Sequence, residues 1–532
     1  MIFFSMIFNG ISEYFFWEEF GKRFNFIAVD YLVYTHEVIR NIRESYPLPY
    51  ILSGIAIVSI FIIIYFKNYF FTKEDNTTYT YRLKVSGILL LIPIVLFNLF
   101  DKQGYTEISH NIFNNELAKN GTYSLFSAFR HNELEYNEFY KSLSKKEVFE
   151  NLKKLENFDD ITSKSFTNPK QDKKRNVIFI MVESLSAEYM GIYGNKKGLT
   201  PNLDKLTQKS LFFNNLFATG TRTVRGMEAV ILSVPPTAGR SIVKRPINDT
   251  LDSFGRIFAQ NGYDNKFIYA GHGYFDNMND FFSKNAFTVV DRLDFKDDEV
   301  TFDNAWGVCD EDLLDKTLKE ADNSYAQGKP FFSFVMTTSN HRPYTYPNNK
   351  IDIPSHTGRD GAVKYTDYAI DAFLKKAKNK AWFDDTIFVV IADHNGGSAG
   401  KNALPLHRYK IPLIIYAPSF IKPHTIQKLS SQIDTIPTIL NILGLNYKGK
   451  FYGNNILDDN FTQRAFIGNY QKLGYVTNNY LYYLTPDKKV HKKKIKTLSL
   501  RSVKYQDEDN NISSDEEKEI ISYYQSVNFL YR

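Results

Sequence analysis

Two stretches decide the fold: Asn176–Glu183 reads NVIFIMVE, and Ile387–His394 reads IFVVIADH. Each is a near-continuous apolar run that ends in an acidic side chain. Such runs are typical of strands that are buried on both faces, as in parallel sheets covered by helices. Because helical patterns separate them from further apolar runs, the sequence predicts an α/β domain with a mainly parallel sheet. The candidate strands are Val177–Val182, Lys266–Tyr269, Phe331–Met336, Ile387–Ala392 and Pro412–Tyr416.

The polar residues that follow two of these strands are of metal-binding types. Glu183 follows one strand, and Asp393 and His394 follow another. Ligands of an open α/β sheet collect at the carboxyl ends of its strands, where these side chains can converge on one divalent cation. Mixed oxygen and imidazole ligands suit zinc or manganese. On the residues alone, an N-cap carboxylate and a hydrogen-bonded Asp-His loop pair remain alternatives.

A further motif, Thr219–Val230, reads TGTRTVRGMEAV and leads from a glycine-containing turn into a helical stretch. Thr223 is predicted near the helix start, where free N–H groups favour a phosphate and help a hydroxyl to lose its proton. Arg222 and Arg225 flank it and are candidates to clamp phosphate oxygens. The alternatives are an ordinary N-cap threonine and two surface charges.

Two histidines lie in loops that adjoin predicted strands. His341 stands in TTSNHRPY, after one strand, and His407 stands in LPLHRYKIPL, before another. Histidine is scarce here, with 10 in the chain, so two more at the sheet edge indicate substrate or proton handling. A single loop histidine is more often structural.

The N-terminal region carries a membrane signature. Tyr50–Phe66 and Val85–Phe100 are uncharged apolar runs, the second of which contains a proline. A bilayer core needs roughly 20 apolar residues, so both runs qualify with their flanks; buried core helices are the alternative. The basic loop Lys67–Lys84 is predicted to be cytoplasmic, which places the residues after Phe100 outside, in a periplasm or at the cell surface. Met1–Trp17 is predicted to be part of another span. The sequence therefore predicts a multi-pass protein of the inner or cell membrane.

Composition sets further limits on the 532-residue chain. One cysteine excludes an intramolecular disulfide framework and a multi-thiolate metal site. The net charge of +6 is small for this length and gives no reason to expect nucleic acid as a partner. The predicted organisation is a transmembrane region over residues 1–105, a helical linker over 106–170, the α/β domain over 171–457 and a small antiparallel subdomain over 458–532.

An ordered set of motifs resembles the alkaline phosphatase and sulfatase superfamily. Within it, the set is similar to the membrane-anchored lipoteichoic acid synthase and phosphoglycerol transferase family, and the segment Asn115–Tyr140 is similar to the linker of that family's Gram-negative-type members. The motifs are IMVESLSAEYMGIYG (Ile180–Gly194), TPNLDKL (Thr200–Leu206), GTRT (Gly220–Thr223), SNHRPY (Ser339–Tyr344) and IADHNG (Ile391–Gly396).

The resemblance implies roles for individual residues. It implies one catalytic divalent metal, Mn²⁺ or Zn²⁺, bound by Glu183, Thr223, Asp393 and His394, with Thr223 as the nucleophile. His341 matches a histidine that contacts the phospho-group or donates a proton. The remaining matches are substrate-binding candidates: His407, Arg222, Arg225, Asn277 and, as a pocket wall, Trp306.

The chain also departs from this family. Lipoteichoic acid synthases use a Trp-x-Arg element to bind glycerol phosphate, and Phe275 and Asn277 stand at those positions here. The resemblance implies transfer of a phosphoglycerol-type head group from phosphatidylglycerol to an extracytoplasmic glycan or glycerol-phosphate polymer. The departure at Phe275 and Asn277 leaves the choice between glycerol and ethanolamine as the head group undecided. A phosphoethanolamine transferase, a sulfatase-type hydrolase and a non-catalytic membrane scaffold are the alternatives.

Overall fold

The computed structural model describes residues 1–70, 77–100, 108–109, 111–130, 134–156, 158, 163–169, 171–249, 251–397, 402–506 and 511–531. The chain divides into two compact units. One comprises Met1–Asn132 and Ala399–Ala403, and the other comprises Glu133–Ser398 and Leu404–Arg532. The predicted domain boundaries at 105/106 and 170 fall outside the described residues.

The first unit is helical. Its elements are α1 (Ile2–Phe20), α2 (Phe26–Val33), α3 (Thr35–Ser45), α4 (Leu48–Tyr65), α5 (Lys67–Phe70), α6 (Tyr79–Phe100), α7 (Ile112–Ala118) and α8 (Gly121–Arg130). In the described part of the chain, two segments, Leu48–Tyr65 and Tyr79–Leu96, are long and apolar enough to cross a membrane. None of the residues Tyr79–Leu96 is buried, which disfavours the alternative of a soluble core helix. Residues 71–76 of the basic loop lie outside the described residues.

The second unit contains the strands and the remaining helices. Its strands are β1 (Lys164–Phe166), β2 (Asn176–Val182), β3 (Leu211–Phe217), β4 (Asp264–Tyr269), β5 (Thr288–Val290), β6 (Asp303–Asn304), β7 (Gly307–Val308), β8 (Phe331–Met336), β9 (Thr386–Ala392), β10 (Lys410–Tyr416), β11 (His424–Ile426), β12 (Ser430–Ser431), β13 (Tyr447–Gly449), β14 (Ala465–Gly468), β15 (Leu473–Val476), β16 (Tyr480–Thr485), β17 (Lys489–Leu498) and β18 (Val503–Tyr505). Its helices are α9 (Tyr136–Phe139), α10 (Lys145–Glu156), α11 (Pro201–Thr207), α12 (Thr223–Leu232), α13 (Phe254–Gln260), α14 (Met278–Lys284), α15 (Asp310–Ala326), α16 (Arg359–Ala377), α17 (Thr435–Leu443) and α18 (Ser514–Leu530).

The main sheet has the strand order β11-β3-β10-β9-β2-β8-β4-β5, with β12 also paired to β3. Strand β10 runs antiparallel to both of its neighbours, and the other described pairings are parallel. The predicted α/β class and mainly parallel sheet are confirmed, and all five candidate strands form. Strand β3 was not predicted, because its LFFNNLF sequence interrupts the apolar run with two asparagines.

The register of the central strands positions the polar residues that follow them. Val182 of β2 pairs with Ala392 of β9, and Met181 pairs with Met336 of β8. Every residue of β2, β8 and β9 is buried, as expected for central strands covered on both faces. The residues immediately after these three strands therefore emerge side by side at one edge of the sheet.

A second sheet, β14-β15-β16-β17-β18, is antiparallel throughout and follows the main sheet in the chain. Its strands cover the Tyr-rich segment in which the sequence predicts antiparallel pairing. The side chain of Arg464, next to β14, makes a buried ion pair with Asp434, with Nη1 2.7 Å from Oδ2. This pair joins the C-terminal subdomain to the start of α17.

Candidate active site

Two carboxylates meet at the carboxyl edge of the central strands. Glu183 follows β2, and Asp393 follows β9; both are buried. Asp393 Oδ1 accepts hydrogen bonds from the backbone N–H groups of Ser184, at 2.7 Å, and of His394, at 2.6 Å. Asp393 Oδ2 is buried and has no hydrogen-bond partner in the protein. A buried carboxylate oxygen without a donor is costly, so this atom is suited to ligating a cation.

His394 completes the cluster. Its Nδ1 lies 2.8 Å from the carbonyl oxygen of Asn395, which can only accept, so Nδ1 carries the hydrogen and Nε2 presents a lone pair. Nε2 is 3.5 Å from Asp393 Oδ2 and 4.0 Å from Glu183 Oε1. The three ligand atoms lie within 4.8 Å of one another. This tautomer and donor set fit one divalent cation of the zinc or manganese type.

Burial dominates the acid–base behaviour of the cluster. It raises the pKa of Glu183, and the charge of Asp393 raises that pKa further. Burial also raises the pKa of Asp393 to about 6. For His394, burial lowers the pKa, which keeps the imidazole neutral and able to ligate. A bound cation would reverse the shifts of the two carboxylates.

Helix α12 brings the predicted nucleophile to this cluster. Thr223 is its first residue, and the Thr223 hydroxyl oxygen lies 3.4 Å from Glu183 Oε2. The helix can lie this close because residue 226 is glycine: a Cβ there would be 2.4 Å from the Asp393 carbonyl oxygen. The four residues that the resemblance assigns to the metal are therefore brought together, and their ligation of it remains a prediction.

Gln432 connects the two halves of the cluster, and sequence reasoning missed it. Its buried amide nitrogen donates to the carbonyl oxygens of Ala392 and Asp393, each at 2.9 Å. Its amide oxygen accepts from the backbone N–H of Thr219, at 3.2 Å, in the turn that leads to α12. No local pattern distinguishes Gln432, because its contacts are all distant in sequence.

His341 lies beside Trp306 in the loop after β8. The ring centroids are 3.7 Å apart, and the Trp306 indole N–H donates to the Arg342 carbonyl oxygen. His341 Nδ1 is 3.3 Å from the same carbonyl oxygen. Burial lowers the pKa of His341 to about 4, against the opposing charge of Glu183, so the resting imidazole is neutral. Phe275 packs edge-on against Trp306, with centroids 5.4 Å apart, and so adjoins the predicted pocket wall.

Arg225, a predicted phosphate contact, lies in the interior of the protein. Its guanidinium is buried and donates to Glu228 Oε1 at 2.6 Å and to Thr237 Oγ1 at 2.9 Å. Glu228 lies one turn further along α12, so the pair stabilises this helix internally. These contacts give Arg225 a structural role, and its binding of phosphate oxygens remains a prediction.

Asn277 and His407 also have local roles. The Asn277 amide donates to the Val243 carbonyl oxygen at 3.0 Å, and its backbone φ is 63°. His407 stands in the turn Leu406–Tyr409 that precedes β10, where burial and the charge of Arg408 lower its pKa to about 4. Substrate binding by these two residues remains a prediction.

Two arginines give the site a positive side. Arg222 occupies the N-cap position of α12, as the sequence predicts for a residue next to Thr223. Arg359, the first residue of α16, was not predicted. Both charges lower the pKa of His341 and of His394, so both lie within electrostatic reach of the two imidazoles.

A cluster of two carboxylates and an imidazole, with a threonine at a helix start, defines a class of phosphate- and sulfate-processing site, and comparison with known proteins agrees. A family model described as Sulfatase matches residues 175–445, half of the chain. The chain therefore belongs to the sulfatase family, and the resemblance to its lipoteichoic acid synthase and phosphoglycerol transferase branch is confirmed by the relatives below.

The chain is 26% identical over 358 residues to the lipoteichoic acid synthase-like protein YvgJ of Bacillus subtilis, covering 60% of this chain and 56% of that protein. It is 24% identical over 331 residues to phosphoglycerol transferase I of Xanthomonas campestris, covering 58% and 47%. A crystal structure of an alkaline phosphatase superfamily protein from Vibrio parahaemolyticus matches with a TM-score of 0.70 and 32% identity, covering 75% of this chain and 98% of that one. The chain spans about half the length of the two curated relatives.

Proposed function

We propose that this chain is a membrane-anchored phosphotransferase that moves a phosphoglycerol-type head group from a phospholipid to an acceptor hydroxyl outside the cytoplasm. One observation carries the proposal: the Thr223 hydroxyl lies 3.4 Å from Glu183, in a cluster where Asp393 Oδ2 has no partner. The names of the curated relatives support the reaction class.

The residues that would hold the cation are Glu183, Asp393 and His394, with the Thr223 hydroxyl as a fourth ligand. A divalent cation, Mn²⁺ or Zn²⁺, supplies Lewis acidity there: it favours the deprotonated threonine and neutralises charge on the phosphate. The helix start at Thr223 acts in the same direction, because its N–H groups carry partial positive charge.

In the first step, the Thr223 oxygen attacks the phosphorus of the lipid head group. A bond forms between Oγ1 and phosphorus, and the bond from phosphorus to the diacylglycerol oxygen breaks. His341, whose imidazole is neutral at rest, takes up the proton that Thr223 loses and gives it to the departing diacylglycerol oxygen. A phospho-threonine diester remains.

In the second step, an acceptor hydroxyl attacks the same phosphorus. His341 takes the proton from the acceptor and passes it to the departing Thr223 oxygen, so both residues return to their resting states. Two easier displacements replace one difficult transfer, which is the advantage of a covalent intermediate. Trp306, which packs against His341 at a tilt, restricts the orientation of the imidazole in both steps.

The apolar helices suit this substrate. Leu48–Tyr65 and Tyr79–Leu96 are long enough to span a bilayer, and a membrane anchor keeps the enzyme beside a lipid donor. The basic loop between them favours a cytoplasmic position, which puts the α/β unit on the other side. The acceptor is a glycan or glycerol-phosphate polymer there.

The test uses the full chain in detergent micelles with Mn²⁺ or Zn²⁺ and phosphatidylglycerol labelled in its head group. Stopping the reaction with acid and digesting the protein should give a labelled peptide that contains Thr223. The same experiment with Thr223→Ala is the control, and phosphatidylethanolamine labelled in its head group tests the other donor. If the label appears only in free glycerol phosphate, and neither in the protein nor in an acceptor, the enzyme is a hydrolase and the proposal is overturned.

A further inference from the structure

Arg359 reaches the metal-binding edge from a segment distant in sequence. A Cβ placed on Gly396 would be 2.5 Å from Arg359 Nη1, 3.0 Å from the Tyr189 hydroxyl oxygen and 3.1 Å from the Ser184 carbonyl oxygen. Gly396 follows His394 by two residues, and Ser184 follows Glu183 directly. The guanidinium therefore lies against the two loops that carry the candidate metal ligands.

Tyr344 fixes the position of this guanidinium. Its hydroxyl oxygen accepts from Arg359 Nε at 3.1 Å and from Nη2 at 2.9 Å. Its backbone N–H donates to the His341 carbonyl oxygen at 2.8 Å, so Tyr344 belongs to the same turn as His341. The Tyr344 φ is 60°, a conformation that is unfavourable for a bulky residue and that clusters at functional sites. Tyr344 thus holds the guanidinium through its hydroxyl and contacts the backbone of His341 through its N–H.

We propose that Arg359 binds a non-bridging phosphate oxygen of the transferred head group, and that the Tyr344 hydroxyl positions its guanidinium. This assignment rests on the function proposed above and adds a substrate-binding residue to it. Neither the motifs nor the comparisons single out Arg359. A planar guanidinium matches the geometry of phosphate oxygens.

The electrostatics of the site agree with this placement. Burial is the main cause of the low pKa of His341, and the charge of Arg359 lowers it further.

The experiment compares Arg359→Gln with the parent chain, both full length in detergent micelles and loaded with Mn²⁺. Calorimetry with inorganic phosphate as the probe should show affinity weakened about 30-fold, as for loss of a charged hydrogen bond. Steady-state transfer from labelled phosphatidylglycerol should show a raised KM, while bound metal stays unchanged. Arg359→Lys should recover only part of the affinity for phosphate, because an ammonium group cannot donate two parallel hydrogen bonds as a planar guanidinium does.

Two further variants complete the design. Tyr344→Phe keeps the ring and removes the hydroxyl, and it should weaken phosphate binding several-fold. The exposed Arg501, remote in sequence from every site residue, gives the matched control Arg501→Gln, which should match the parent. Exogenous guanidinium should restore phosphate affinity to Arg359→Ala, a rescue that a merely structural role would not give.

Unchanged phosphate affinity in Arg359→Gln would overturn the assignment, and so would loss of bound metal, which would make Arg359 a support for the ligand loops. If Arg359→Gln does not fold, Tyr344→Phe and Arg359→Lys decide by the same readout. A parent chain that binds phosphate through Arg359 but transfers no head group would refute the proposed function and leave the phosphate contact standing.

Discussion

Two buried charge clusters in the same unit differ in how their charges are matched. Around Asp434, the carboxylate accepts from Arg464 at 2.7 Å and from the backbone N–H groups of Ser431 and Asn454, each at 2.9 Å. Around Asp393, one oxygen accepts two backbone N–H groups, and the other has no partner although it is buried. The first carboxylate is neutralised by a cation of the protein itself, whereas the second stands in a candidate metal-binding cluster with Glu183 and His394.

The difference separates stability from function. A buried ion pair that has both partners stabilises the fold only as long as both remain, since removing one leaves an uncompensated charge. A buried carboxylate pair without a protein cation costs folding free energy and is retained where a ligand or a reaction needs it. Substitutions in the Asp434 cluster should therefore lower the free energy of unfolding, whereas substitutions in the Asp393 cluster should lower metal affinity and activity.

The largest expected effect is on activity and comes from Thr223→Ala. Loss of the nucleophile should lower head-group transfer by at least about 10³-fold, with thermal unfolding and bound metal close to those of the parent. Thr223→Ser, which keeps a hydroxyl, is the matched control and should retain part of the rate. Transfer at the parental rate by Thr223→Ala would end the covalent mechanism, and a large loss of stability would break the contrast between the clusters.

The second prediction makes the same change in both clusters. Asp434→Asn leaves Arg464 buried without its counter-charge and should cost about 3–5 kcal/mol of unfolding free energy. Asp393→Asn removes an uncompensated carboxylate, so the metal-free protein should be no less stable than the parent, while metal affinity is lost. Urea denaturation and metal titration of both variants measure this. Equal destabilisation by the two would show that Asp393 is an ordinary structural acid.

Gly226→Ala tests how tightly α12 is packed against the ligand loop. A Cβ at this position would be 2.4 Å from the Asp393 carbonyl oxygen, and a backbone atom cannot move aside. The change should cost about 1–3 kcal/mol and weaken metal binding by shifting Asp393. Gly54→Ala, in a helix where a Cβ would meet nothing within 4 Å, is the control and should be neutral. A wild-type metal affinity in Gly226→Ala would show that the helix can shift without moving the ligands.

The smallest expected effect is a pH dependence in the C-terminal subdomain. Burial raises the pKa of Glu516, but hydrogen bonds from Lys492, Tyr482 and Ser513 outweigh it and lower the pKa to about 2. Because the folded pKa lies below the unfolded value, this stabilisation is present above pH 4.5 and is lost as the pH falls towards 2. Glu516→Gln should remove that pH dependence, by about 1 kcal/mol or less after solvent screening. Parallel stability–pH curves for variant and parent would contradict it.

The strand ends explain why much of the site could be predicted. Glu183, Asp393 and His394 follow apolar runs that are typical of buried strands, and parallel strands place their carboxyl ends at one edge. Their convergence therefore follows from periodicity and topology, before any contact is known. Thr223 could be placed at a helix start for a similar local reason.

Side-chain direction explains what could not be predicted. Arg222 and Arg225 are equally basic in sequence, yet Arg225 is used internally by Glu228. Gln432 and Arg359 reach the site from segments far along the chain, and neither stands in a pattern that distinguishes it from other polar residues. The two asparagines of β3 concealed a strand whose neighbours are supplied by β10 and β11.

The sequence by itself determined the α/β class, the apolar N-terminal helices and the identity of the candidate metal ligands, because apolar periodicity and residue chemistry are local properties. Only the tertiary structure decided which charges are matched by the protein and which are left for a ligand. Whether a charge is matched depends on the distances between side chains that are hundreds of residues apart in the sequence. Because these side chains are buried, their electrostatic interactions contribute more to the free energy than they would in water.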